Sequence, residues 1–205
     1  MKHLTNEIEN IWQEIDELLN TGQQTFSSEK SIVFNFALKF SKIFPDGKID
    51  FETPLFGAFS DGSYLDLLIT TKNSSGIDTK IGFEFKFPKK VKHNSDRTNT
   101  RQKIINDLKR LTWLVENNRI DLGYFLCLTN ELAYTKSKTY LKAPEFVTHH
   151  GKTYCLENHF PENAKFREHI KPISPINFNW RYFSNGKTLI ENKIFTFLEP
   201  ILISK

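Results

Sequence analysis

Apolar positions recur along this chain in two distinct rhythms. Leu4, Ile8, Ile11, Trp12, Ile15, Leu18 and Leu19 return at helical spacing, and Gly22 stands just past the end of that run. The spacing predicts a first helix over residues 4–19. Ser27 and Ser28 can cap a second helix, whose apolar face is Ile32, Val33, Phe36, Ala37, Phe40, Ile43 and Phe44 before Pro45-Asp46-Gly47 stops it. The period then shortens to two. Residues 48–56, 63–71 and 80–87 read as three strands separated by Asp61-Gly62 and by the loop 73–76. Helical spacing returns over 100–116 with Ile104, Ile105, Leu108, Leu111 and Val115. Residues 122–129 are an almost unbroken apolar run, the mark of a strand buried on both faces and paired in parallel.

The order helix, strand, strand, strand, helix, strand predicts an α/β fold with a central mixed sheet flanked by helices. The last third is less periodic. A helix is expected within 130–141 and another within 161–170, with strands at 176–184 and 187–190 around an Asn185-Gly186 hairpin turn. No linker, repeat or low-complexity tract divides the 205 residues, so a single domain with a C-terminal elaboration after residue 130 is expected.

Composition narrows the function classes. Two cysteines, Cys127 and Cys155, exclude a disulfide scaffold and a four-cysteine zinc site. No apolar run approaches the ~18 residues of a membrane helix, and residues 1–7 lack a signal-like apolar core, so a cytoplasmic protein without membrane contact is expected. The net charge is only +4, but residues 86–110 hold nine lysines and arginines against Asp96 and Asp107. That window carries a formal +7 and leaves about −3 for the rest, a pattern that suits a local anionic partner. Lys89, Lys90, Lys92, Arg97 and Arg101 are its candidate phosphate contacts.

The chemistry concentrates in the second and third strands. Alternation puts Tyr64, Asp66, Leu68 and Thr70 on one face and Leu65, Leu67 and Ile69 on the other. In the next strand Ile81, Phe83, Phe85 and Phe87 form an apolar face, and Gly82, Glu84 and Lys86 the opposite one. If Asp66 and Glu84 lie side by side, their repulsion is relieved by a divalent cation. Mg²⁺ suits such hard oxygen ligands, polarises a phosphodiester and activates a bound water. Lys86 is placed to orient that water or to offset developing negative charge. Glu29, in the first turn of the second helix, is a further candidate ligand. The ordinary alternatives are a solvated strand face for Glu84 and Lys86 and a dipole-favoured acid for Glu29.

Glu29 on a helix, Asp66 in mid-strand and Glu84-Phe85-Lys86 in the following strand resemble the PD-(D/E)xK nuclease superfamily, over roughly residues 27–130. Leu65 stands where that pattern often has proline. The resemblance implies a restriction-endonuclease-like core of order αβββαβ and a Mg²⁺-dependent endonuclease, with Mn²⁺ able to substitute, acting on DNA and less often on RNA. It implies Asp66, Glu84 and the Phe85 carbonyl as metal ligands, Lys86 as the water-positioning residue and Glu29 as an assisting group. A restriction, defence or repair role falls within it. Symmetric cutting of both strands would call for a homodimer. The alternative is a nucleic-acid-binding or protein-interaction module that keeps the fold without cutting.

Overall fold

The computed structural model describes residues 2–55, 63–73, 75–89, 96–137, 143, 145–162, 169–181, 183–184, 187–188 and 195–205. Its elements are α1 (Lys2–Asn20), α2 (Glu29–Ile43), β1 (Lys48–Pro54), β2 (Tyr64–Lys72), β3 (Asp78–Lys86), α3 (Arg97–Glu116) and β4 (Leu122–Thr129), followed by short strands. These are β5 (Lys152–Tyr154), β6 (Ile176–Phe178), β7 (Phe183–Ser184), β8 (Lys187–Thr188), β9 (Thr196–Phe197) and β10 (Ile201–Ile203). The main sheet runs β1-β2-β3-β4-β10, with β9 also on β4. β1, β2 and β3 are antiparallel neighbours, whereas β3 and β4 are parallel, joined through α3. The protein is therefore α/β, with a mixed central sheet between helices.

Sequence chemistry explains the helix starts. Ser28 Oγ accepts the Ser31 N–H while Ser31 Oγ accepts the Ser28 N–H, a reciprocal cap that makes Glu29 the first residue of α2. The α3 helix begins at Arg97, three residues before its expected start, because Asp96 caps it by accepting the Asn99 N–H.

Two apolar layers cover the sheet. On one side α1 and α2 pack on Leu67, Ile69, Ile81, Phe83, Phe85 and Phe87. Phe36 lies 5.1 Å from Phe83 and 5.5 Å from Phe85 between ring centroids. On the other side α3 packs on Phe125 and Cys127 of β4, together with β6. Every residue of β4 is buried, as its continuous apolar run requires of a strand covered on both faces. Gly82 of β3 leaves room for Leu65 and Ile120, since a β-carbon there would stand 3.0 and 2.7 Å from their side chains.

The last third departs most from its periodicity. Residues 131–136 form turns rather than a helix, and 138–142 lie outside the described residues, as do 163–168 of the other expected helix. The long strand expected at 176–184 is broken into β6, an isolated bridge from Trp180 to Leu198, and β7. β7 and β8 pair as a hairpin, Ser184 opposite Lys187; the Asn185-Gly186 turn itself lies outside the described residues. β10 lies antiparallel on β4, so the chain's end is part of the main sheet. Trp12 of α1 donates its indole N–H to Leu198 O at 2.9 Å, tying the first helix to this closing segment.

Candidate active site

Alternation along β3 places Glu84 and Lys86 on the side that α3 covers. Glu84 is 1% exposed. The solvated strand face considered for this pair is thus overturned: a carboxylate and an ammonium are held under a helix. Such groups are tolerated only when paired, because desolvating an ion costs several kcal/mol.

Their partners come from three elements. Lys86 Nζ lies 2.8 Å from Asp107 Oδ2 on α3 and 3.4 Å from Glu29 Oε1 on α2, and it donates to the Phe85 carbonyl at 2.7 Å. Arg110, one turn beyond Asp107, donates to Glu84 Oε1 at 2.8 Å, to Asp107 Oδ1 at 2.6 Å and to the Tyr64 carbonyl at 2.6 Å. Asp107 and Arg110 stood in the sequence only as members of a charge count. A signal for Asp107 existed: it lies three residues after Ile104 and four before Leu111, on the stripe that faces the core.

Glu29 and Asp66 grip the backbone on either side of Lys86. Asp66 Oδ2 accepts the Phe85 N–H at 2.7 Å, and Glu29 Oε2 accepts the Phe87 N–H at 2.9 Å. The β2–β3 ladder reaches Leu67 opposite Phe83, so Asp66 comes one step beyond its last pair. The carboxylate takes the N–H that a strand carbonyl would otherwise take. The expected alternation of β2 fails at this point. Leu65 packs on the α3 side with Leu68, while Leu67 and Ile69 pack on the α1–α2 side. Asp66 lines a cavity on the α2 side, whereas Glu84 is turned to Arg110 on α3. The side-by-side carboxylate pair expected from strand alternation is thus replaced by two carboxylates divided between the sides of the β2–β3 junction.

Burial sets the proton affinities. It pushes the Glu84 carboxyl well above the usual range, Asp107 and Asp66 add to this, and Arg110 and Lys86 oppose it. Glu29 is raised for the same first reason, with Asp66 and Asp107 adding and Lys86 opposing. For Lys86 burial acts downward, but Asp107, Glu29, Asp66 and Glu84 together outweigh it and hold the ammonium charged. Arg110 is held charged in the same way by Glu84, Asp107 and Asp66 against burial.

The oxygens present are of the kind a hard divalent cation takes, but Asp66 and Glu84 are turned to opposite sides of the junction rather than to one position. Mg²⁺ takes oxygen ligands, keeps several waters and needs only one or two protein carboxylates. Asp66, Glu84 and the Phe85 carbonyl supply oxygens of that kind. Fully ionised, Glu29, Asp66, Glu84 and Asp107 exceed Lys86 and Arg110 by two negative charges, which one divalent ion would neutralise. In the structure Arg110 and Lys86 engage Glu84 and the Phe85 carbonyl. Among the described residues no three His, Cys, Asp or Glu side chains are grouped to hold an ion. An ion bound by Asp66, Glu84 and the Phe85 carbonyl therefore requires Arg110 to release Glu84, Lys86 to release the carbonyl, and the two carboxylates to turn to one side.

The basic segment is not the surface that its linear charge suggests. Lys89 donates to the carbonyls of Phe26 and Ser27 and lies 4.3 Å over the Phe87 ring. Arg97 pairs with the buried Glu131. Arg101 is only 5% exposed, and burial lowers its proton affinity. Lys109 is buried and donates to the Pro161 carbonyl. Lys90 and Lys92 lie outside the described residues. A helix turns successive side chains through all directions, so a run of positive residues across α3 divides between core and solvent. Arg101 is corrected from a phosphate contact to an interior residue on this ground.

No family model, curated protein or solved structure gives a significant match to this chain. No helix among the described residues is long and apolar enough to cross a membrane.

Proposed function

We propose that this protein is a Mg²⁺-dependent phosphodiesterase that cuts DNA, with RNA the less favoured substrate, on a restriction-endonuclease-like core. The observation that carries this reading is the double grip around Lys86. Asp66 holds the Phe85 N–H, Glu29 holds the Phe87 N–H, and Glu84 stands two residues upstream on the same strand face as Lys86. Four carboxylates beside two cations at a helix-covered junction are a poor way to stabilise a core, since apolar residues of like volume serve as well or better. Their excess negative charge is suited to a divalent cation.

In this reading Asp66, Glu84 and the Phe85 carbonyl would hold the ion, and Mn²⁺ would substitute for Mg²⁺. The bound ion would polarise the phosphodiester and acidify a water. Lys86, kept charged by Asp107 and Glu29, orients that water and offsets charge on the phosphorus centre. Glu29 and Asp107 are positioning residues that act through Lys86. Arg110 neutralises Glu84 in the structure.

The test is cleavage of plasmid and single-stranded DNA and of RNA by the purified chain, with Mg²⁺ and with EDTA. Cutting only with the metal supports the reading, and its absence under every condition opposes it. The proton affinities add a second expectation. Glu84 is raised, so it must lose its proton for an ion to bind. Mn²⁺ affinity, measured by calorimetry, should tighten as pH rises, with proton release. An affinity independent of pH would show that Glu84 is not part of the site.

One observation favours a second reading. Arg110 already satisfies Glu84, as it would in a module that binds nucleic acid without cutting. Salt-sensitive DNA binding that ignores Mg²⁺, without cleavage, would select that module.

A further inference from the structure

On the α2 side of β2 lies a cavity of about 280 Å³. Glu29 and Asp66 of the charged cluster form part of its wall. Phe34 of α2 and Phe51 of β1 also line it, and these two rings are 58% and 45% exposed. Among the described residues twelve other large aromatic side chains lie almost wholly buried, whereas Phe34 and Phe51, with Tyr64, are open to solvent.

The backbone is bent to make this wall. Phe51 and Glu52 are consecutive strand residues, which ordinarily point to opposite faces. Both line the cavity. Glu52 has a φ of 49°, in the left-handed region that only glycine enters without strain. The β1–β2 register passes from Phe51 opposite Leu67 to Thr53 opposite Leu65, so this strained residue stands across from Asp66. The regularity of both strands breaks at the same level, beside the cluster. Lys30 reaches Glu52 Oε1 at 2.6 Å and links α2 to β1 at the cavity. Both of those side chains are largely exposed, so the pair opens at little cost.

We infer that the cavity takes one unpaired nucleobase, stacked on Phe34 and Phe51, with an exocyclic amine directed to the carboxylate wall. The volume stands at the small end of ligand pockets and accommodates one heteroaromatic ring system; a base within a duplex has both faces covered by its neighbours, so only an unstacked base can lie on these rings. Every base has a face that stacks on an aromatic ring, and a carboxylate accepts from an exocyclic amino group. This inference rests on the proposed nuclease function and specifies its substrate: single-stranded DNA, or duplex where a base leaves the stack.

The test uses the full-length protein with Ca²⁺ in place of Mg²⁺ and a set of 12-nucleotide strands, each with one 2-aminopurine, alone or in duplex. The expected result is tighter binding of the single strand, with the probe's fluorescence altered at one position of the set. Phe34→Ala and Phe51→Ala should each weaken single-strand binding about 5- to 100-fold, the effect of losing one stacked base, while Phe51→Trp retains it. Single-strand affinity equal to wild type in both alanine variants overturns the subsite; if those variants still cut DNA with Mg²⁺, the nuclease reading survives. A change of solution mass in the variants also overturns it, assigning the rings to a contact between copies. Failure of the wild type to bind or cut any nucleic acid overturns both.

Discussion

Glu84→Gln is expected to lower Mg²⁺-dependent cleavage by at least about 10²–10³-fold, the scale of losing one charge-stabilising group at a reacting centre, without unfolding the protein. Glutamine keeps an oxygen to accept from Arg110 but carries no charge for a cation. The stability of this variant should differ from wild type in a direction that depends on pH. The folded Glu84 carboxyl has a proton affinity well above its ordinary value of 4.5, because it is buried and faces Asp107 and Asp66. A raised folded-state value means that the group's contribution is fully present below the unfolded value and is lost as pH rises through the folded one. Glutamine has no proton to lose. The melting temperature of Glu84→Gln relative to wild type should therefore rise from pH 5 to pH 8. Thermal melts of both proteins across that range check this. A difference that falls with pH would mean that the ionised carboxylate stabilises the fold.

Arg110→Ala should have the largest effect on stability. Arg110 joins β2, β3 and α3 through the Tyr64 carbonyl, Glu84 and Asp107. Removing one partner of a buried ion pair leaves the other charge uncompensated, at a cost of about 3–5 kcal/mol. Two features separate this mechanism from simple loss of packing. The loss should shrink as pH falls, because protonation neutralises the stranded Glu84. Adding Glu84→Gln should recover much of the stability at pH 8, because the double variant has no stranded carboxylate. Urea melts of the two single variants and the double variant measure the coupling. Additive losses would count against an Arg110–Glu84 interaction of any consequence.

The core elements were legible because each carried a strong local signal. Ser28 before an apolar run places the start of α2. The alternation of Ile81, Phe83, Phe85 and Phe87 assigns the two faces of β3. The unbroken apolar run of β4 indicates burial on both sides, and β4 does lie parallel to β3 between two layers. The last third was poorly legible because its strands are two or three residues long. Periodicity needs a longer window than that, and these strands exist through pairing with β4 and with one another.

The charged cluster divides in the same way. Glu29, Asp66, Glu84 and Lys86 were legible as acids and a base at related positions of consecutive elements. Asp107 and Arg110 became partners only when α3 settled over β3, a contact between residues more than 20 positions apart. The turn of Asp66 away from strict alternation was hidden because it follows from the end of the β2–β3 ladder. Linear charge density misplaced Arg101 because it records no side-chain direction.

The most direct test of the account is a time course of plasmid and single-strand cleavage by the wild type and by Asp66→Asn, titrated with Mg²⁺. Asp66→Asn keeps an oxygen for the Phe85 N–H and so leaves the junction in place while removing one negative charge. The account predicts metal-dependent cutting by the wild type, lost in Asp66→Asn at every Mg²⁺ concentration with the fold intact. Equal cutting by the two proteins, or cutting that persists in EDTA, would contradict it.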